Sequence, residues 1–452
     1  KLFADVEIIS NNTYKFQLFT YSVPKNLSNK IDIGSIVSVN FRNRKKTAVV
    51  VNIHNKDLKI KTLKPVERII SKLDQDQLLF LKHVAVSYYL NIGFLIFNLY
   101  KDMNFKLDRK IKNSSLSIYN NTEIDKVLST NSKNIIFTPS LKATKNLYKN
   151  LSEKGIKINF YQKTGGKEEI QNALSTANKF NNCILLANNF MKIKPQSTSN
   201  YHFFDTNDYS YNLPKFNSLN IIELSVLKNK YFGGNYHYYN EYPSLNYFNK
   251  IKNYKTPDLS NVEIYHGNSL QDCIELFKTK HTDKYLKLFY HDEILNELLN
   301  DYKTVKSEND LYDLNLLVNP TISFKGKLNS ERLIFLLRQI ERSKRNNSTT
   351  IILTTKNINL KESLKNSNIT KWTKEELVSR NKWGPNLNHK VFKFSSDSII
   401  KYENEYILGP KKVDNSYEYE ININLSKDTN YNEITNMYSK LLQYEPRKVI
   451  SI

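Results

Sequence analysis

The run Arg42-Asn43-Arg44-Lys45-Lys46 concentrates four positive charges in five residues. Side chains of this kind meet phosphates, and each contact releases counterions from the polyanion. Such a run also occurs as a solvated turn between strands, so the rest of the charge has to be weighed with it. The chain carries 67 Lys and Arg against 44 Asp and Glu, a formal net charge of +23 over 452 residues. Residues 1–115 hold 20 of the cations and only 9 of the acids, about half of the excess in a quarter of the chain. Codon usage in an AT-rich genome would raise Lys along with Asn, Ile and Tyr, but it would not gather the excess at one end. Nucleic acid is the polyanion such a field most often meets. Other chemistry is poorly supplied. Cys183 and Cys273 are the only cysteines, and no Cys-x-x-Cys, His-Glu-x-x-His or His-x-His spacing occurs. A disulfide framework and a cysteine-based zinc site are therefore not expected.

The elements that must hold the basic run read as short strands. Residues 2–9, 14–23, 35–41 and 47–53 are rich in Val, Ile, Phe and Tyr and are bounded by Asn, Pro, Gly or basic residues. They predict a small β-barrel or curled sheet, with Arg42–Lys46 as the tight link between the third and fourth strands. Residues 74–100 predict one helix, because Leu78, Leu81, Val84, Ala85 and Tyr88 fall at helical spacing behind Asp74 as N-cap. Residues 101–133 are polar and predict a linker with little structure.

From Asn134 strands and helices alternate. Strands are expected at Asn134–Thr138, Ile156–Tyr161, Cys183–Ala187 and Tyr201–Phe204, with helices at Leu141–Glu153 and Lys167–Lys179 between them. A similar alternation runs from Val262 to Thr354, with helices at Ser269–Lys280, Asp292–Tyr302 and Ser330–Arg345. This pattern predicts parallel sheets. In the tail, Glu405–Gly409 and Tyr417–Leu425 predict two strands joined by a Lys-Lys-Val-Asp-Asn turn, with a helix at 430–443. No apolar run reaches about 18 residues, so no membrane-spanning helix is expected.

The first 103 residues resemble the N-terminal DNA-binding domain of the primosomal protein N′ (PriA) family of replication-restart helicases. The resemblance rests on Phe19-Thr20-Tyr21-Ser22-Val23-Pro24, on Ile33-Gly34-Ser35-Ile36-Val37-Ser38-Val39-Asn40-Phe41, and on Thr47-Ala48-Val49-Val50-Val51. Leu63-Lys64-Pro65-Val66, then Val84-Ala85-Val86-Ser87-Tyr88-Tyr89 followed by Gly93, continue it in order at matching spacing. Weaker likenesses extend along the chain, at Ile135–Ser140, Phe203–Tyr211, Tyr242–Leu245, Ser330–Arg332, Lys374–Arg380 and Ile407–Pro410.

The resemblance implies a pocket for the 3′ end of a nascent strand. The family builds it from Phe and Asp of a Phe-Asp-Tyr motif, a Gly after the third strand and a Lys. These map to Phe19, Thr20, Arg42 and Lys64, with Tyr21 completing the motif. Phe19 can stack on a base or fill the barrel core, and Lys64 can pair with a phosphate. Thr20 offers a hydroxyl where the family has a carboxylate. Arg42 brings a cation where the family has bare backbone, and Arg44, Lys45 and Lys46 extend it.

The motor parts that the family uses are not matched. A phosphate cradle needs a Gly-rich loop followed by Lys and Ser or Thr, and Val127-Leu128-Ser129-Thr130-Asn131-Ser132-Lys133 has no glycine. Thr164-Gly165-Gly166-Lys167 precedes the second helix and reads as a surface turn. At Asp205-Thr206-Asn207-Asp208, Thr and Asn stand where the base is required. In Gln339-Ile340-Glu341-Arg342-Ser343-Lys344-Arg345-Asn346, Ser343 and Asn346 occupy the arginine positions. The family's eight-cysteine zinc module has no counterpart, and 101–133 is too short for its winged helix.

The fold class expected is thus α/β. A β-rich DNA-binding domain at 1–103 is followed by a linker at 104–133. Two RecA-like helicase lobes lacking key motifs are expected at 134–253 and 254–400, then a short α+β C-terminal domain at 401–452. The function expected is that of a DNA-binding replication-restart protein on forked or branched DNA, without ATP-driven unwinding. One alternative is an active ATP-dependent 3′–5′ DNA helicase with diverged motifs, which would require ATP and magnesium. The other is a non-catalytic interaction scaffold. No cofactor, metal or membrane is expected. Beyond DNA, the partners implied are a single-stranded-DNA-binding protein and the machinery that loads the replicative helicase, in the cytoplasm at the nucleoid.

Overall fold

The computed structural model describes the chain except for residues 12–16, 56–62, 101–107, 109, 112, 129–131, 162–168, 195, 246–247, 249–253, 255–256, 283, 289–298, 306–311, 319–329, 356–359, 367–368, 384–388, 403, 414–415, 426–430, 442–446 and 452. Thr164–Lys167 and the start of the helix expected at Asp292 lie outside the described residues. The chain divides into two compact units. One comprises 1–117, 124–238 and 384–452, and the other 118–123 and 239–383.

The head of the first unit has strands β1 (Phe3–Ile8), β2 (Phe19–Ser22), β3 (Ser35–Phe41), β4 (Arg44–His54) and β5 (Val66–Lys72). They form an antiparallel sheet in the order β2-β1-β4-β3-β5, and a bridge from Ser22 to Pro65 brings the two edge strands together at one end. Ala4, Val6, Tyr21, Val37, Val39, Phe41, Ala48 and Val50 fill its inner face. Three features differ from expectation. β5 has no clear apolar signal, because most of its residues are exposed. β2 begins at Phe19 among the described residues. The link expected over Arg42–Lys46 is only two residues long. Arg42 and Asn43 both take positive φ, at 48° and 61°, and Arg44 pairs directly with Phe41. A two-residue turn of that hand follows the natural twist of a hairpin. Arg44, Lys45 and Lys46 are therefore strand residues whose side chains alternate between faces.

The single helix expected over 74–100 is two. Helix α1 (Gln75–Ser87) is capped reciprocally by Asp74 and Gln77. Helix α2 (Ile92–Tyr100) follows a break at Tyr89, whose φ of 53° cannot continue an α-helix. The axes differ by 110°, and no single helix among the described residues is long and apolar enough to cross a membrane. The bend has a local cause and tertiary ones. Asn91 Oδ1 accepts the Phe94 N–H, and the buried Glu7 carboxylate accepts the Gly93 N–H at 2.9 Å. A Cβ on Gly93 would stand 2.5 Å from the Ile8 carbonyl oxygen, so β1 and α2 approach as closely as only glycine permits.

Burial pushes the Glu7 carboxyl up from an ordinary 4.5 to about 7, against the backbone N–H groups of Gly93 and Ile92 and the Tyr431 hydroxyl. The folded state thus holds a proton that the unfolded chain releases. This contribution to stability is complete below about 4.5, falls as pH rises to about 7, and is flat above. Glu7→Gln should flatten the decline of the denaturation midpoint across that window. An unchanged pH profile would mean that Glu7 does not carry it.

After the head come β6 (Ser114–Tyr119), α3 (Ile124–Val127), β7 (Lys133–Thr138), α4 (Leu141–Glu153), β8 (Asn159–Phe160), α5 (Glu169–Lys179), β9 (Asn182–Leu186) and β10 (Ser199–Phe204). The short strands β11 (Asn212–Leu213) and β12 (Leu219–Asn220), helix α6 (Ile221–Phe232) and β13 (Gly234–Tyr239) complete the segment. The main sheet is ordered β6-β13-β10-β7-β9-β8, with β10, β7, β9 and β8 parallel. Helix α4 spans the residues expected from its periodicity, behind Ser140 as N-cap. The linker expected over 104–133 instead supplies an edge strand, β6, to this sheet. Asp108 in the same stretch is buried against Lys228 of α6, with Nζ 3.0 Å from Oδ2 and both side chains 0% exposed.

The second unit has β14 (Val262–His266), α7 (Leu270–Lys278), β15 (Tyr285–Leu288), β16 (Lys303–Val305), β17 (Leu314–Val318), α8 (Ser330–Arg345), β18 (Thr349–Thr354), α9 (Leu360–Asn366) and α10 (Ile369–Trp383). Its five-stranded sheet, β14-β18-β17-β15-β16, is parallel at every pairing. Leu317, Leu333, Leu337 and Ile352 pack on one of its cores, and Cys273, Phe277, Leu286 and Ile351 on the other.

The first unit is completed by β19 (His389–Ser396), β20 (Ile407–Val413), β21 (Ser416–Asn424), α11 (Tyr431–Leu441) and β22 (Arg447–Ser451), with the antiparallel order β20-β21-β19-β22. Buried polar contacts join this end to the rest of the unit. Lys390 Nζ and the Tyr88 hydroxyl both reach the Glu223 carboxylate. The Tyr438 hydroxyl donates to the Val86 carbonyl at 2.9 Å.

Candidate nucleic-acid interface

The tip of the β3–β4 hairpin brings most of the expected head residues together, but on two faces. Phe41 pairs with Arg44 and Val39 with Lys46, so these share the inner face of the hairpin. Phe19 packs there too, edge-on to Phe41 with centroids 4.7 Å apart at 68°. It is half-buried, with one side in the barrel core and the other at the rim. The Arg42 guanidinium lies over the Phe41 ring, 5.2 Å from its centroid. That stacking leaves the edge N–H groups of the planar guanidinium able to meet a phosphate.

The opposite face is set by Asn40 and Lys45, which pair across the strands. Lys45 Nζ is 3.4 Å from a Glu67 carboxylate oxygen, and Ser38 Oγ donates to the same oxygen at 2.9 Å. The Ser38 hydrogen bond above all, with help from Lys45 and Arg68, holds that carboxyl below the usual carboxylate range against the desolvation that opposes it. The exposed Lys64 donates to Asn40 Oδ1 and Asn43 Oδ1, each at 3.0 Å, and so braces the turn from this side. The four cations of the run are thus not one patch. Arg42, Arg44 and Lys46 accompany the aromatic pair, while Lys45 and Lys64 lie with Glu67 and the asparagines.

Two residues expected at the pocket are committed elsewhere. Tyr21 is buried, and its hydroxyl donates to the Asn40 carbonyl at 3.1 Å, so it belongs to the barrel core. Thr20 points to the face opposite Phe19, because neighbours on a strand alternate. Its Oγ1 donates to Asp5 Oδ1 at 2.7 Å. Asp5 also accepts from Asn52 Nδ2 at 3.0 Å and lies 3.3 Å from His54 Nε2. In the sequence, Asp5 is merely one of two acids in an alternating strand. Only the β1–β2 register, which sets Asp5 opposite Thr20, gives it a role. The pairing of Phe41 with Phe19 is hidden from the sequence for the same reason.

The segments that could handle a nucleotide have structural duties. Asp205 ends β10 in a left-handed conformation, with φ at 55°. Its carbonyl accepts the Asp208 N–H, and Asp208 Oδ1 caps the next turn through the Ser210 N–H. Thr206 is buried. Ser343, at an expected arginine position, is fully buried and accepts from Asn315 Nδ2 at 2.9 Å. Among the described residues no three His, Cys, Asp or Glu side chains gather as a metal site. Both cysteines are buried thiols, and burial pushes Cys183 up to about 12.

Residues 7–99 match the family model of the PriA 3′ DNA-binding domain. The matched residues run from Glu7 of β1 to Leu99 of α2, and thus contain the whole hairpin tip. No curated protein sequence matches the chain. Among solved structures, the PRRSV helicase is 11% identical, with 74% of this chain and 66% of that one covered, at a TM-score of 0.29. The chain thus spans just under two thirds of that helicase. Arterivirus nonstructural protein 10, a helicase solved with DNA, is 10% identical over 74% of this chain and 77% of that one, at a TM-score of 0.26. Likeness at this level carries no argument about the α/β sheets, and the functional reading rests on the head.

Proposed function

We propose that the chain is a DNA-binding protein of replication restart that engages forked or branched DNA through its head, without ATP-driven unwinding. The observation that carries this reading is the match of residues 7–99 to a 3′ DNA-binding domain, with an aromatic pair and three cations at one rim of that domain. Phe19, held edge-on against the buried Phe41, offers its outward side to a terminal base, and Arg42, Arg44 and Lys46 offer charge to the phosphates beside it. Thr20, turned toward Asp5, takes no part in this contact. The parallel strands between Lys133 and Phe204 and those between Val262 and Thr354 are read as helicase-like lobes that keep a scaffold and lack the motor, and the antiparallel end of the chain, which begins at His389 rather than at the expected residue 401, as a shortened C-terminal domain. A single-stranded-DNA-binding protein and a loader of the replicative helicase are the partners that this role needs, in the cytoplasm at the nucleoid.

The turn-forming Asp205 and Asp208 and the buried Ser343 support the absence of turnover. A fork-binding assay run beside an ATPase assay tests the proposal. The full chain should bind the fork with strong salt dependence and show no DNA-stimulated hydrolysis with magnesium present. Hydrolysis that disappears on Asp205→Ala would instead establish the active helicase. Fork binding indifferent to salt would favour the scaffold.

A further inference from the structure

Helix α4 lies in the same compact unit as the head but far from it in sequence. Its inner face is Thr144, Leu147 and Leu151. Its outer face carries Lys142, Lys145 and Lys149, all exposed. At 100° per residue these three fall within about 60° of one another, along about 10 Å of axis. The only acid on the helix is Glu153 at its last position. It stands 3.9 Å from Lys149 as an exposed i,i+4 pair, which binds that lysine weakly. The described surface helices otherwise mix acids with bases, as α7 and α11 do. An amphipathic helix needs a polar outer face, but it does not need three cations in one line.

We propose that this lysine stripe is a second DNA contact, and that it takes the phosphates of a duplex arm. Unpaired bases need aromatic platforms to stack on. The outer face of α4 has none, since Tyr148, its one aromatic residue, is half-buried against Phe160 with centroids 4.6 Å apart. Lys145 and Lys149, exposed on a face that offers no aromatic platform, suit a backbone whose bases are already paired. The inference rests on the DNA-binding reading of the head and extends it.

The test uses the full chain with Lys145→Ser and Lys149→Ser combined, both far from the head in sequence. On a fork with a long duplex arm, the slope of log affinity against log salt should fall by about 1.8, at about 0.9 for each phosphate no longer neutralised. On a single-stranded oligonucleotide the slope should not change. An unchanged slope on the duplex fork, or an equal decrease on single strands, would overturn the assignment. The head variant Arg44→Ser/Lys46→Ser is run in parallel. If it leaves fork binding intact while the α4 variant weakens it, the reading of the head fails and that of the stripe stands.

Discussion

Arg42→Gly should make the protein more stable and a poorer DNA binder. A side chain at φ 48° is strained, whereas glycine adopts that conformation freely. After the entropy of the added glycine and the lost contact with Phe41 are subtracted, relief of strain should raise stability by at most about 0.5 kcal/mol. The substitution also removes the guanidinium over Phe41, and with it one cation that can meet a phosphate. Replacing Arg42, Arg44 and Lys46 together with serine should lower the salt slope of fork binding by about 2–3 units, at about 0.9 for each phosphate neutralised. Lys45→Ser should change the slope far less, because Lys45 faces Glu67 on the other side of the hairpin. Equal effects from Lys45 and from its two neighbours would mean that the faces are not distinguished. No change from the triple variant would remove the hairpin tip as the DNA site.

Lys228→Met should destabilise the first unit by about 3–5 kcal/mol, the usual consequence of leaving one charge of a buried pair alone. Asp108 would keep only the Tyr100 hydroxyl, which stands 3.1 Å from Oδ2, and its Oδ1 already lacks a partner. The expected result is a large drop in the denaturation midpoint that salt hardly alters, since the pair is shielded from counterions. Asp108→Leu combined with Lys228→Met should recover most of that stability, because two apolar side chains leave no buried charge. A destabilisation below about 1 kcal/mol in the single variant would show that the carboxylate is relieved by water or by taking up a proton.

These two sites differ in how far they can be read from the sequence. The basic run is visible at once, and Phe19 and Lys64 follow from the motif order. What stays hidden is the division of the run between two faces, which depends on the turn being two residues long. Residue types near Arg42 do not reveal that, because arginine is rarely found at positive φ. Helix α4 is legible to the residue, since Leu147 and Leu151 mark its inner face and Ser140 its start. The break between α1 and α2 is not, because the stretch from Val84 to Leu99 is apolar on both sides of it. The bend is imposed by Glu7 and by the close approach at Gly93. Asp108 lies in a polar stretch, and only its partner 120 positions later, Lys228, makes it part of a core.

The hydroxyl of Tyr431 reaches Glu7 at 3.4 Å, and that of Tyr89 reaches the Tyr438 carbonyl at 3.1 Å. These contacts join positions 424 and 349 residues apart. On the ribosome, the head strands therefore emerge long before the helix that covers Glu7 exists. Until then a buried carboxyl site and the apolar surface of α1 and α2 stand open, as intermediates of large chains commonly do. The first unit therefore closes only once α11 has been made, and until then the Glu7 carboxyl stands without the hydroxyl that meets it.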